Sequence, residues 1–184
     1  MAKKENQRIA LTRRLLQEGL LRLLESEKLE DISVTALCKE AGINRATFYN
    51  HYASPAALLE EMELSLVSKL QSIITHAETM DDVLNQVEAS LILLKDKAQL
   101  FRILVRYHVD RDLEIMIRRA AQHYNTYRLN TLQKELDDDT VYLVSSYLYS
   151  GCYHLICEWL LHNIDKTPRQ IAELLVSVIN KEYL

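Results

Sequence analysis

The scarcity of chain-breaking residues constrains this sequence more than any other feature: its 184 residues contain only 3 Gly and 2 Pro. Sandwiches and barrels need a turn about every 8–12 residues, and their turns draw heavily on Gly and Pro. A β-rich fold is therefore disfavoured, and an all-α fold is expected. Both prolines follow a hydroxyl residue, in Ser54-Pro55 and Thr167-Pro168. That is the order of an N-cap followed by the first helical position, so the prolines open helices rather than break them. With 48% hydrophobic residues, a chain of this length can bury a core without staples. Cys38, Cys152 and Cys157 lie in apolar stretches and are odd in number, as packed, reduced thiols would be. No uncharged apolar run reaches the roughly 18 residues of a membrane helix, and the first eight residues carry no apolar signal core. Neither a membrane span nor a leader is expected, and the localisation expected is cytoplasmic.

Apolar periodicity lays out the helices. Thr167-Pro168-Arg169-Gln170 has capping-box spacing, and Ile171, Leu174, Leu175, Val178 and Ile179 then form one stripe. Asp137-Asp138-Asp139 can cap a helix near Thr140–His162 whose apolar residues cover more than one side, which implies burial on two sides. Asp110 can cap a helix near Arg111–Glu135, Asp81 one near Asp82–Leu94, another runs near Lys97–Tyr107, and Ser54 opens a long one through about His76. No flexible linker separates them.

The net charge of −4 hides an asymmetry. Residues 1–52 hold nine Lys/Arg against seven Asp/Glu, or +2, and the remainder is −6. An anionic partner is thus tolerated at the N-terminal end and not at the other. There, a first helix near Gln7–Ser26 carries Leu16, Leu20, Leu23 and Leu24 on one side. Ser33 caps a second, with Val34, Leu37, Cys38 and Ala41 at i, i+3, i+4 and i+7. Gly42 suits a left-handed helix end, Ile43 plugs the turn, and Asn44 caps a short third helix to about His51. Helix, Gly-containing turn and helix is the helix-turn-helix outline. The third helix has one large hydrophobe, Phe48, and otherwise offers a basic residue, hydroxyls, an amide and an imidazole. Such groups suit base edges and phosphates.

The run Val34-Thr35-Ala36-Leu37-Cys38-Lys39-Glu40-Ala41-Gly42-Ile43-Asn44-Arg45-Ala46-Thr47-Phe48-Tyr49-Asn50-His51-Tyr52 resembles the DNA-binding segment of the tetracycline-repressor (TetR) family, within a match covering about residues 8–62. The stretch Tyr149–Leu160, with Thr167-Pro168 and the last helix, resembles the C-terminal domain of a Firmicutes-type subgroup that includes regulators of dihydroxyacetone-kinase operons. The resemblance implies about nine helices in two domains: 1–53 for helix-turn-helix DNA binding, and 54–184 for effector binding and dimerisation. It implies base-facing roles for Arg45, Ala46, Thr47 and Asn50. Thr35, Tyr49, His51 and Tyr52 are implied as phosphate contacts or supports of the recognition helix. The last two helices would pair with those of a second subunit as a four-helix bundle, with Leu148, Gly151, Leu155, Ile171, Leu175 and Val178 as interface candidates. Gly151 costs about 1 kcal/mol relative to Ala inside a helix, which close approach of another helix would account for, as would a kink or simple drift. The family often has a Lys near the start of the fourth helix, where this chain has Ser54-Pro55-Ala56-Ala57. Lys3, Lys4 and Arg8 are candidates to replace that phosphate contact.

The expected function is a homodimeric repressor released from a palindromic, double-stranded DNA operator by a small-molecule effector. The alternative is a regulator controlled by a partner protein docking on the C-terminal domain. Tyr107, His108, Tyr124, Tyr127, Tyr147 and Trp159 are candidates for an effector cavity, since amphipathic rings supply an apolar wall and a polar tip; ordinary core packing also accounts for each. The six histidines show no spacing that builds a metal site, so no metal or cofactor is expected. A Gly-rich phosphate loop and a nucleophile elbow are missing too, which argues against an enzyme.

Overall fold

The computed structural model describes residues 2–75, 77, 79–107, 112–115, 117–118 and 137–181, with side chains described for those from 6 to 178. Among the described residues there is no strand. Eight α-helices have set bounds: α1 (Ala2–Leu23), α2 (Val34–Ala41), α3 (Arg45–Tyr49), α4 (Pro55–Ile73), α5 (Met80–Asp96), α6 (Ala98–Arg106), α7 (Asp138–Leu161) and α8 (Pro168–Lys181). A 3-10 turn spans Leu29–Asp31, and residues 112–115 and 117–118 are also helical. The all-α architecture of about nine helices is as expected. The cap expected at Asp110, and most of the helix it would open, lie outside the described residues.

Packing divides the chain into two compact units. Unit 1 comprises Met1–Ser65 and Ile103–Val109, and unit 2 comprises Leu66–Arg102 and Asp110–Leu184. In unit 1, α1 buries Leu16 and Leu20, and Leu24 just past its end is buried with them, on the apolar side its periodicity marks. Gly19 faces α2 so closely that a Cβ there would stand 3.2 Å from Ala41 Cβ and 3.3 Å from its backbone nitrogen. The two helices therefore meet where neither carries more than a methyl group. Arg22 on α1 adds a 2.5 Å ion pair with Glu40 on α2.

The caps follow local chemistry. Ser33 Oγ accepts the Ala36 N–H (3.1 Å), and Ser54 Oγ accepts that of Ala57 (3.1 Å). Gly42 closes α2 at φ +66°, where a side chain would be strained, and the Ile43 N–H reaches Cys38 O at 2.9 Å. The start of α5 corrects the sequence reading: Thr79, not Asp81, is the cap, in a reciprocal box with Asp82. A hydroxyl followed by an acid three residues on satisfies two orphan N–H groups, whereas Asp81 alone satisfies one.

In unit 2, Asp137 caps α7 by accepting the Thr140 N–H at 3.0 Å. Thr167 and Gln170 form the expected capping box at the start of α8. Ile171, Ala172, Leu175 and Val176 on α8 are buried, and α8 packs on α5, which buries Val83, Leu91 and Leu94. Arg169 reinforces that contact with a 3.0 Å ion pair to Glu88. The stripe read as one therefore has two parts: Ile171 and Leu175 point into the subunit, while Leu174 and Val178 stay exposed. No helix among the described residues is long and apolar enough to cross a membrane.

Candidate nucleic-acid interface

A helix of five residues has no stability of its own, so α3 must be held by its neighbours. Phe48 does most of this. Its side chain has 0% exposure, a burial that stabilises by roughly 2–3 kcal/mol. Tyr52 is also buried, with its ring 6.0 Å from that of Phe48, and its hydroxyl donates to Glu61 Oε1 at 2.9 Å. Arg13 Nη1 lies 4.0 Å from the same carboxylate. The segment after α3 is thus tied to α4 and to α1 through one glutamate. Burial, and then the bond to Glu61, push the Tyr52 phenol up to about 12.

At the front of α3, Asn44 Oδ1 accepts the Thr47 N–H at 2.7 Å, as the cap reading requires. With Phe48 turned inward, Arg45, Ala46, Tyr49 and Asn50 are exposed, and Thr47 and His51 are half-buried. Tyr49 is 53% exposed, although its ring meets the edge of Phe48 at 5.6 Å. Thr35, on α2, is exposed as well. Seven of the eight candidates thus keep some surface free, and the eighth, Tyr52, is a buried support. Arg8 is exposed, whereas Lys3 and Lys4 lie outside the described side chains. The basic residues differ in availability. Arg13, Arg14 and Arg22 each have a carboxylate within 4.0 Å. Arg45 forms no ion pair among the described residues and stands close enough to Cys38 to oppose the rise that burial imposes on that thiol. Such a face can donate to acceptors on an anionic surface, and it contains no nucleophile paired with a base.

This geometry coincides with what comparison finds. A family model described as "Bacterial regulatory proteins, tetR family" matches residues 16–62, and one described as "Transcriptional regulator C-terminal region" matches residues 81–181. The chain belongs to the TetR family of transcriptional regulators. As a TetR-family protein it is a DNA-binding transcriptional regulator. The uncharacterized HTH-type transcriptional regulator YxbF of Bacillus subtilis (strain 168) is 30% identical over 94 residues, covering 50% of this chain and 25% of that protein. The match thus spans about a quarter of the length of that curated relative. Among solved structures, a TetR family transcription regulator from Marinobacter aquaeolei VT8 superposes with a TM-score of 0.64 at 18% identity, covering 95% of this chain and 96% of that one. The dihydroxyacetone kinase operon activator DhaS superposes at 0.59 with 15% identity, covering 92% and 94%. At these identities the likeness is one of fold.

Of the six effector-cavity candidates, His108, Tyr124 and Tyr127 lie outside the described residues. Tyr107 belongs to unit 1 and its hydroxyl donates to the backbone carbonyl of Glu27 at 2.7 Å. Tyr147 is exposed. Trp159 is core: its Nε1–H donates to Lys166 O at 3.1 Å, and Lys95 Nζ stands 5.4 Å from its ring centroid. Unit 2 also holds Tyr149, which sequence reasoning passed over. Tyr149 is buried, and the Arg118 guanidinium lies 4.5 Å from its ring centroid. Arg118 pairs with Glu114 at 3.2 Å. Burial, then the Glu114 carboxylate, push the Tyr149 phenol well above its ordinary range.

Of the dimer candidates, Leu148, Ile171 and Leu175 are buried within the subunit and Leu155 is half-buried, whereas Gly151 and Val178 are exposed. A Cβ at Gly151 would meet nothing within 4 Å. On the same helix, Tyr142, Leu143 and Tyr147 are 59%, 66% and 63% exposed, a signal that sequence periodicity missed because α7 is apolar on several sides.

Proposed function

We propose that this TetR-family regulator is a cytoplasmic homodimeric repressor that grips a near-palindromic operator and lets go when a small molecule occupies its second unit. The observation that carries the DNA-reading part is the disposition of α3: Phe48 is wholly buried while Arg45, Ala46, Tyr49 and Asn50 face outward. Arg45 and Asn50 suit base edges, because a guanidinium matches guanine and an amide matches adenine in the major groove. Ala46 and Thr47 sit beside them to meet bases, Thr35, Tyr49 and His51 suit phosphates, and Tyr52 supports the helix from behind.

A second copy is supported by the stripe of Tyr142, Leu143 and Tyr147 on α7, with Leu174 and Val178 on α8. A patch of large exposed hydrophobics marks an interaction surface. Open space at Gly151 lets a partner backbone approach closely. Two-fold symmetry then presents two recognition helices to grooves roughly 34–36 Å apart.

Release requires an effector that prefers one spacing of those helices. The lever is α4, a single helix Pro55–Ile73 whose residues through Ser65 belong to unit 1 and whose later residues belong to unit 2. Within unit 2, the buried Tyr149 beside Arg118 and Glu114 offers an effector a polar group in apolar surroundings.

A selection from random duplexes tests the reading. Enrichment of an inverted repeat supports it. Enrichment of a single half-site removes the dimer, and no enrichment removes sequence-specific binding. A thermal-shift panel of small molecules then tests release: a compound that raises Tm and lowers operator affinity supports it.

A further inference from the structure

We infer that Tyr107, far along the chain from the helix-turn-helix, is a positioning residue for DNA reading. The inference rests on the proposed reading of DNA by α3. Residues Ile103–Val109 pack in unit 1, together with Met1–Ser65. Within that segment Ile103 and Leu104 are buried, and Leu104 shares a groove of about 390 Å³ with Leu29, Ser54 and Ala57. The N-terminal residues therefore do not complete their own core, and the end of α6 supplies part of it.

Tyr107 adds a directional contact to that packing. Its hydroxyl donates to Glu27 O at 2.7 Å and stands 3.4 Å from Leu24 O. Glu27 lies in the turn four residues past the end of α1, so a donor fixed there holds the exit of the chain from that helix. The path from that exit leads directly to the DNA-reading helix. The 3-10 turn begins at Leu29, Ile32 is buried, and Ser33 caps α2, whose far end turns at Gly42 into α3. A shift at Glu27 alters where α2 starts, and α2 and α3 pack on each other. Tyr107 thus helps to set the angle at which Arg45 and Asn50 are presented. It touches no base itself.

The test is Tyr107→Phe in the full-length chain, which keeps the ring and removes only the donor. Affinity is measured on the duplex that the wild-type chain selects and on a random duplex of equal length, and amide exchange is followed in parallel. Positioning predicts a loss of about three- to tenfold on the selected duplex and less than about twofold on random DNA, the fold-change of one ordinary hydrogen bond. Exchange should quicken within residues 25–33 and stay unchanged in α8. Wild-type affinity on the selected duplex overturns the inference, even if exchange quickens, because the bond would then be structural only. Equal losses on both duplexes overturn it too. If the wild-type chain selects no duplex, the DNA-binding reading fails and takes this inference with it; that failure is seen in the wild type alone and is distinct from a silent Tyr107→Phe.

Discussion

The Tyr52 hydroxyl donates a 2.9 Å hydrogen bond to Glu61 Oε1, joining the turn behind the recognition helix to α4. Because Tyr52 is buried against Phe48 while Glu61 keeps 39% of its side chain exposed, the two residues lose different things when the bond is cut. Tyr52→Phe lets the carboxylate return to water and should cost about 1.5 kcal/mol, the low end for a bond to a charged group. Urea denaturation of the full chain measures it. A midpoint equal to wild type would show that the bond adds nothing.

The same pair predicts a response to alkali. The Tyr52 phenol titrates near 12 in the folded protein, above its ordinary value of about 10. The folded state holds the proton more tightly than the unfolded one. The group's contribution is therefore complete below about pH 10 and disappears as pH rises through about 12. The stability difference between wild type and Tyr52→Phe should shrink over that interval. Parallel pH profiles would contradict the assignment.

Gly19→Ala separates helix propensity from packing. Propensity alone predicts a gain of up to about 1 kcal/mol for replacing a mid-helix glycine. The added Cβ, however, would meet the Cβ and the backbone nitrogen of Ala41 at 3.2 and 3.3 Å, and a backbone atom cannot swing aside. Overpacking of this kind costs roughly 1–3 kcal/mol, so the net effect should be destabilising. A raised Tm would show that α1 and α2 can part without penalty.

Arg45→Ala and Asn50→Ala should each lose about 1–3 kcal/mol of discrimination between the operator and its single-base variants. Arg45 is exposed and has no ion pair among the described residues, so its removal should leave Tm nearly unchanged. Titration against a panel of point-substituted duplexes provides the measurement. Equal weakening on every duplex would assign these side chains to the phosphate backbone.

If two subunits pair through this stripe as proposed, Leu143→Glu should separate them while leaving each one folded. Leu143 is 66% exposed, and a surface substitution of this kind usually changes subunit stability by no more than about 0.5 kcal/mol. Burying a glutamate against its symmetry mate is far more costly. Sedimentation equilibrium should show monomers, with weaker operator binding. A stable dimer would place the interface elsewhere.

The legible parts of this protein were the local ones. Ser33, Asn44, Asp137 and Thr167 could be read as caps because each cap bonds an N–H only two or three residues on. The direction of α3 was legible for the same reason, since a short helix with one large hydrophobe has one way to face inward. The choice of Thr79 over Asp81 was missed because two acceptors compete within one turn, and only the reciprocal bond with Asp82 separates them.

Residue types and their spacing were enough to name most of the helices, most of their starts and the outward polar face of α3, because those depend on interactions spanning one or two turns. Nothing in the chain's order could say that Tyr52 would bond Glu61, that Tyr107 would hold the end of α1, or that Leu148 and Ile171 would turn inward while Leu143 and Tyr147 stayed out. Those outcomes depend on which helices pack together. Periodicity shows that a helix has an apolar side, but a partner's surface decides which part of that side is covered.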